Sequence, residues 1–130
     1  MPGPGTARAP RELCGVVRYE ERCRARRARL EEAAFAIAGF CESKRDIVSV
    51  HAFGSFATGT VHPSSDLDLL IVRETDARPL DRADDLYLEA PSRIGFDAVV
   101  VTPDEFRDRL PRTPFGRTVL SQMRLLYERR

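Results

Sequence analysis

The chain has few cysteines, almost no net charge and no long hydrophobic run. Its three cysteines, Cys14, Cys23 and Cys41, form no CxxC pair or other metal-ligand spacing, and an odd number leaves at least one thiol unpaired. Reduced cysteines are typical of a cytoplasmic protein. The most apolar stretch, residues 33–41, is far shorter than the ~18 residues that indicate a membrane span. We therefore expect a cytoplasmic protein without a secretion signal or a membrane anchor.

The balance of charge restricts the class of partner. In 130 residues, 21 Lys and Arg face 20 Asp and Glu, which gives a formal net charge of +1. Nonspecific binding to long nucleic acids depends on many Lys and Arg side chains that neutralise phosphates, so a nucleic acid is not expected to be the main acceptor or ligand. The length suits one domain, predicted over residues 13–130, and leaves no room for a separate acceptor-binding domain.

The chain changes character at residue 13. Residues 1–12 are rich in proline and glycine and are predicted to be a disordered tail. Residues 13–41 have a helical pattern, with an apolar stripe formed by Leu30, Ala33, Ala34, Ile37, Ala38 and Cys41. Arginines crowd residues 18–29, and we interpret them as a solvated helix face rather than as a contact with a partner or RNA. Cys41, within the stripe, is interpreted as a small hydrophobic side chain.

After residue 46 the pattern indicates a mixture of strands and helices. Strands are predicted at residues 47–54, 66–72 and 93–101, and helices at residues 76–91, 103–110 and 114–123. Thr102 and Thr113 are predicted to cap the last two helices. Residues 125–127 are either a closing strand or the end of the last helix. This order predicts a mixed α/β or α+β domain, with a short central mixed sheet of three to five strands flanked by helices.

Two acidic residues begin the second predicted strand. Asp66 and Asp68 are separated by one residue, so the period of two in a strand projects both carboxylates from one face while Leu67 points into the core. Carboxylates that converge repel each other unless a cation lies between them, and their hard oxygen atoms suit Mg²⁺. Directly upstream lie Gly54 and Ser55, where the backbone can approach a ligand closely and its N–H groups can hold phosphate oxygens.

A third acid, Asp97, interrupts an otherwise apolar predicted strand. Burial of a lone carboxylate is unfavourable unless it is paired, hydrogen-bonded or bound to a metal. If this strand lies beside residues 66–72, Asp97 completes a cluster of three carboxylates with Asp66 and Asp68. Such a cluster supports phosphoryl or nucleotidyl transfer with two metal ions, because one ion lowers the pKa of an attacking hydroxyl and the other steadies the triphosphate.

A resemblance to a known family rests on residues 54–72, which read GSFATGTVHPSSDLDLLIV. This run resembles the signature of the DNA polymerase beta nucleotidyltransferase superfamily, in which Gly-Ser precedes Asp-x-Asp and a third acid lies on a later strand. It most resembles the minimal, or MNT-type, branch, and the likeness extends over residues 30–127. The resemblance implies a small nucleotidyltransferase fold. It also implies that the nucleotide is bound by Gly54, Ser55 and Ser65, and that Mg²⁺ is bound by Asp66, Asp68 and Asp97. Asp97 would in addition assist deprotonation of the acceptor hydroxyl.

One position departs from this branch. Many minimal members have Arg where this chain has Thr58, so a cation that could act at the phosphates or at a partner surface is missing. All three acids are present, so the departure bears on the activity level and the partner more than on the reaction. Of the two histidines, His51 is interpreted as a packing residue and His62 as an exposed loop residue.

The resemblance also implies a function. Minimal members are commonly antitoxins that use ATP and Mg²⁺ to transfer AMP to a tyrosine of a partner HEPN-type RNase toxin, and two bound Mg²⁺ ions are expected. Two alternatives stay open from the sequence. One is a non-catalytic antitoxin or nucleotide-binding module that masks its partner. The other is a transferase for a small molecule such as an aminoglycoside, which would require a homo-oligomer to form a cleft.

Overall fold

The structure, a computed structural model, describes residues 11–130. Its helices and strands are, in chain order, α1 (Arg11–Glu42), β1 (Ile47–Phe53), α2 (Ser55–Thr58), β2 (Leu67–Arg73), α3 (Asp84–Glu89), β3 (Phe96–Val101), α4 (Pro114–Gln122) and β4 (Arg124–Glu128). Shorter helical turns lie at Pro79–Asp81, Glu105–Arg109 and Leu110–Arg112. The predicted disordered tail falls outside the described residues except for residues 11 and 12, which instead begin α1.

The four strands form one sheet in the order β3-β2-β1-β4. β1 is antiparallel to β2 and to β4, whereas β2 is parallel to β3. Residues 125–127 lie in β4, so the choice that the sequence left open is resolved in favour of a strand. The prediction of an α+β fold with a short mixed sheet flanked by helices is confirmed.

Helical segments cover both faces of the sheet. On one face, here called the α1 face, α1 buries the predicted apolar stripe, in which Leu30, Ile37 and Cys41 have no exposed surface. On the opposite face, here called the α4 face, Leu110 and Val119 pack against β2 and β3. Although α1 has 32 residues, neither it nor any other helix within residues 11–130 is apolar enough to cross a bilayer.

A strict period of two in β1 predicts that Val48, Val50 and Ala52 share one face. The strand departs from this alternation. Its pairing with β2 shifts register between Ile47 and Ser49, which marks a bulge. As a result Ile47, rather than Val48, shares the α1 face with Val50 and Ala52, and Val48 packs on the α4 face. A one-residue change in register moves a side chain to the other face, and the spacing of apolar residues alone does not reveal where it occurs.

The helix predicted over residues 76–91 forms as two pieces, Pro79–Asp81 and α3. The carbonyl of Arg82 lies between the pieces and accepts a hydrogen bond from Nη1 of Arg73, on β2, at 3.0 Å. This bond fixes the intervening turn against the sheet, which interrupts the helix. The spacing of Leu80, Ala83, Tyr87 and Ala90 predicts one apolar stripe for this helix, but Leu80 is 92% exposed.

Both predicted N-caps form, although the helix predicted after Thr102 is irregular. Thr102 Oγ1 accepts from the backbone N–H of Glu105 at 3.2 Å, and Glu105 Oε1 accepts from the backbone N–H of Thr102 at 3.4 Å, which is a capping box. Thr113 Oγ1 accepts from the N–H of Gly116 at 2.9 Å and caps α4. Between the caps lies Pro111, which has no N–H to donate, so a regular helix cannot continue through it.

His51 is buried in β1 and packs as the sequence indicates. Its ring stacks on Phe106 with centroids 5.7 Å apart, and Nε2 lies 2.9 Å from Ser49 Oγ. Within residues 11–130, its Nδ1 has no hydrogen-bond partner. Burial lowers the pKa of His51, an effect that the nearby Glu128 partly opposes. The side chain is therefore a neutral packing group, whereas His62 is exposed in its loop.

We expect the free energy of unfolding to fall as the pH is lowered from about 7.5 to about 5.5. Unfolded His51 takes up a proton near its ordinary pKa of about 6.5, whereas the folded protein resists this, so low pH favours the unfolded state. The chain has two histidines, which provides a matched control. Chemical denaturation across this range should show a smaller pH slope for His51→Gln and an unchanged slope for His62→Gln. Equal slopes in His51→Gln and the parent protein would contradict a neutral buried imidazole.

Candidate active site

The residues singled out in the sequence meet at one edge of the sheet. β1 is antiparallel to β2, so the end of β1 lies beside the start of β2. β3 runs parallel to β2, so the start of β3 lies at the same edge. This topology brings Gly54, which follows β1, to the side of Asp68 near the start of β2, and Asp97 to the other side of Asp68. The candidate site is this edge.

Asp68 and Asp97 are direct neighbours across the parallel strands. Their Cα atoms are partners in the register of β2 and β3. Side chains alternate between the two faces along both strands. Leu67 and Phe96, which directly precede the two acids, pack on the α1 face. Asp68 and Asp97 therefore point to the α4 face, where Leu70 packs. Asp68 is half-buried and Asp97 is exposed. The register alone therefore places two carboxylates side by side.

The third acid, Asp66, precedes β2 and is engaged differently. Its Oδ1 accepts from Nη2 of Arg26 at 3.3 Å. Burial raises the pKa of Asp68, and the charges of Asp97 and Asp66 raise it further. In the described part of the chain, however, no three acidic, histidine or cysteine side chains stand close enough together to hold a metal ion. The structure brings Asp68 and Asp97 together and leaves Asp66 beside Arg26.

Gly54 makes room for Asp68. Its backbone has φ 74° and ψ −153°, a conformation that side chains with a Cβ rarely adopt. A Cβ built at this position would overlap with Oδ2 of Asp68. Both the backbone and the space therefore require glycine here. Because Gly54 and Asp68 touch, the predicted phosphate-binding turn and the predicted metal-binding strand form one unit.

Ser55 begins the four-residue helix α2, which ends at Thr58. The carbonyl of Gly54 accepts from the N–H of Thr58 at 3.1 Å, and the carbonyl of Ser55 accepts from the N–H of Thr60 at 2.9 Å. Thr58 donates its hydroxyl back to the Gly54 carbonyl at 3.2 Å. Thr58 thus closes the turn that presents Gly54 and Ser55, and their contact with a nucleotide stays a prediction.

Ser65 lies inside the loop that leads to β2. It is 3% exposed, and its Oγ accepts from the backbone N–H of His62 at 2.9 Å. Its carbonyl accepts from Nε of Arg26 at 2.7 Å. These bonds give Ser65 a part in shaping the loop before Asp66, and its predicted contact with the nucleotide stays a prediction.

Two arginines of α1 were missed as site residues. Arg26 donates to Asp66 and to the carbonyl of Ser65. The next residue, Arg27, donates from Nη2 to the carbonyl of Gly59 at 2.7 Å. The interpretation of residues 18–29 as a solvated helix face is therefore wrong at Arg26, which is half-buried, whereas Arg27 is exposed as expected. A signal was present, because Arg26 precedes Leu30 by one helical turn and so continues the buried stripe.

The fold and the sequence can be compared with those of other proteins. Residues 36–126 match the family described as a nucleotidyltransferase domain. In three dimensions, 98% of the chain superposes on 94% of a protein from Sulfolobus solfataricus that is provisionally described as a nucleotidyltransferase, with a TM-score of 0.62 and 19% sequence identity. At this identity the likeness is one of fold, and it confirms the predicted small nucleotidyltransferase fold. No curated protein matches the chain by sequence.

We expect Gly54→Ala to destabilise the protein by roughly 2 to 4 kcal/mol, because it adds a strained backbone to an overlap with Asp68. Gly59 also has a positive φ, of 79°, but the nearest atom to its Cβ position is 3.8 Å away. Gly59→Ala should therefore show only the backbone cost, about 1 to 2 kcal/mol. Thermal and chemical denaturation measure both values.

A double variant separates the two causes at Gly54. Replacing Asp68 by Ala in the Gly54→Ala background removes the overlapping oxygen, so the double variant should be more stable than the sum of the single effects predicts. Simple additivity would show that Gly54 and Asp68 are not in contact.

Proposed function

The chain belongs to the nucleotidyltransferase domain family, and we propose that it transfers AMP from ATP to a tyrosine hydroxyl of a partner protein. The observation that carries the proposal is the in-register pair Asp68 and Asp97, held against Gly54 at one edge of the sheet. Family membership supports nucleotidyl transfer in general. The nucleotide, the metal, the acceptor and the residues that act belong to the proposal.

The donor chemistry of the three acids suits Mg²⁺. Carboxylate oxygens are the ligands that this hard cation takes in proteins, together with substrate phosphates. Asp68 and Asp97 are already adjacent, and the charge of Asp97 helps to raise the pKa of Asp68. Asp66 would join them by leaving Arg26. When bound, Mg²⁺ lowers the pKa of the attacking hydroxyl and neutralises the triphosphate. Ser55 and the backbone of Gly54 would contact the phosphates.

The proposed step is an in-line displacement at the α-phosphorus of ATP. The acceptor oxygen forms a bond to the α-phosphorus while the bond from that phosphorus to the bridging oxygen breaks, and pyrophosphate leaves. The proton of the acceptor hydroxyl passes to Asp97. Because the Asp97 side chain is exposed, it can return this proton to water.

A protein acceptor is favoured over a nucleic acid. The formal net charge is only +1, and long nucleic acids bind mainly through an excess of basic side chains. The resemblance of residues 54–72 to minimal nucleotidyltransferases suggests the kind of protein, a HEPN-type RNase toxin. The chain would then act as its antitoxin by modifying a tyrosine.

The ion pair of Asp66 with Arg26 favours a second candidate function. If Asp66 does not leave Arg26, the three acids cannot act together, and the protein would neutralise its partner by binding alone. Thr58 is consistent with this alternative, because many minimal members have at this position an arginine that could act at the phosphates. The two candidates differ in whether AMP becomes covalently attached to the partner.

The test is label transfer from ATP carrying ³²P at the α-position. With Mg²⁺ and a purified HEPN-type partner, the protein should label the partner, and changing the modified tyrosine to phenylalanine should abolish the label. The double variant Asp66→Ala, Asp68→Ala should lose at least about 100-fold in rate, because the proposed metal ligands are removed.

A matched control removes two acids elsewhere. Asp76 and Asp84 are exposed and lie outside the candidate site, so the double variant Asp76→Ala, Asp84→Ala should label the partner at the parent rate. Absence of label with the parent protein, or equal label with the Asp66→Ala, Asp68→Ala variant, would overturn the proposal of AMP transfer.

A further inference from the structure

A pair of aromatic rings lies beside the candidate active site on the α4 face. Phe53, the last residue of β1, is the register partner of Asp68 on β2, which in turn is the partner of Asp97. Phe53 packs on the α4 face, to which the two acids point. Phe115, near the start of α4, meets Phe53 at an interplanar angle of 84°, with ring centroids 5.8 Å apart. One ring of this pair is thus the direct cross-strand neighbour of Asp68.

The Phe115 ring is only partly covered. Its side chain is 50% exposed, although Val119, four residues later on the same face of α4, is 1% exposed. In an edge-to-face contact, one ring offers its edge and the other ring offers one of its two faces. Whichever ring offers the edge, at least one face of the Phe115 ring is left uncovered by Phe53. Phe115 therefore presents an aromatic surface to solvent on a side of α4 that is buried one turn later.

The backbone around Phe115 is fixed by close contacts. Thr113 Oγ1 accepts from the N–H of Gly116 at 2.9 Å and donates to the carbonyl of Leu110 at 3.1 Å. Gly116 is buried, and a Cβ built there would overlap with the same carbonyl. The residue after Phe115 must therefore be glycine for α4 to approach the preceding turn so closely. A ring carried by such a fixed element can hold a ligand in one orientation.

Its position separates Phe115 from the other exposed phenylalanine and tyrosine rings of residues 11–130. Tyr19 and Phe35 lie on α1. Tyr87 lies on α3 and stacks on Phe96, which packs on the α1 face. A single exposed apolar side chain is common and by itself indicates no function. Phe115 differs from these rings because it contacts the neighbour of a proposed metal ligand on the face to which the acids point.

The aromatic pair lies on the nucleotide side of the candidate site. Gly54, whose backbone is proposed to contact the triphosphate, directly follows Phe53 in the chain. Asp97, proposed to receive the proton of the acceptor, lies on the other side of Asp68, because β2 separates β3 from β1. The strand order therefore groups Phe53 and Phe115 with the proposed phosphate contacts rather than with the proposed acceptor.

We infer that Phe115 stacks on the base of the bound nucleotide, with Phe53 supporting its ring. The inference rests on the proposed function for the identity of the ligand, ATP. The base of ATP is flat and aromatic, and stacking on an aromatic side chain typically strengthens binding about tenfold. The acids and Gly54 then hold the phosphates through the cation and the backbone, while Phe115 holds the other end of the same molecule.

Tryptophan fluorescence tests the stacking without any transfer reaction. The chain has no tryptophan, so Phe115→Trp supplies a single reporter at the proposed position. ATP with Mg²⁺ should quench its emission, because the base stacks on the indole ring. Tripolyphosphate with Mg²⁺, which has no base, should not quench it. Phe35→Trp is the matched control, since Phe35 is 67% exposed on α1, and ATP should leave the emission of this variant unchanged.

The affinity for ATP gives a second readout. In calorimetry with Mg²⁺, Phe115→Ala should bind ATP about tenfold more weakly than the parent protein, because one stacking contact is lost. Phe115→Trp should bind ATP at least as tightly as the parent, and Phe35→Ala should bind it equally. Tripolyphosphate should bind the parent and Phe115→Ala with the same affinity.

Several results would overturn the inference. These are no quenching of Phe115→Trp by ATP, equal quenching of the two tryptophan variants, or unchanged ATP affinity in Phe115→Ala. Quenching of Phe115→Trp by a tyrosine peptide of the partner but not by ATP would assign the ring to the acceptor and also overturn it.

The inference and the proposed function can fail separately. AMP transfer by Phe115→Trp at the parent rate, with no quenching by ATP, would leave the proposed function standing while the inference fails. Quenching by ATP without any AMP transfer to the partner would support the inference while the proposed function fails.

Discussion

The candidate site depends on the register of the parallel pair β2 and β3. Because side chains alternate along a strand, pairing Asp68 with Asp97 turns both carboxylates to one face at one edge of the sheet. A slip of one residue would turn Asp97 to the opposite face. The apolar neighbours hold this register, since Leu69 and Val100 pack on the α1 face while Leu70 and Val101 pack on the α4 face. The core that stabilises the sheet therefore also positions the site.

Two carboxylates side by side repel each other, and neighbouring residues respond to their charge and to the space that they occupy. The pKa of Asp68 is raised by burial and by its acidic neighbours. Arg26 supplies one positive charge at Asp66, and it reaches that position from the continuation of the buried stripe of α1. Gly54 contributes by having no side chain to occupy the space of Asp68. The cation that we propose for this edge would offset the remaining repulsion between Asp68 and Asp97.

Much of this arrangement follows from the sequence, and the exceptions have physical causes. The alternation of side chains along a strand depends only on the strand itself, so the sequence correctly predicts that Asp68 and Leu67 point to opposite faces. The bulge at Ile47 and the break before α3 depend on contacts between distant segments, such as the hydrogen bond from Arg73 to Arg82. Likewise, Arg26 lies 40 residues from Asp66 in the chain, and only the packing of α1 brings them together.

Binding of a nucleotide by these acids through a divalent cation can be measured by isothermal titration calorimetry with ATP, in the presence of Mg²⁺ and again with a chelator. We expect binding that requires Mg²⁺ and that becomes at least about tenfold weaker in Asp68→Asn, because a proposed metal ligand loses its charge. The exposed variant Asp76→Asn should bind as the parent does. ATP binding that is unchanged by the chelator, or unchanged in Asp68→Asn, would show that these acids do not hold the nucleotide through a cation.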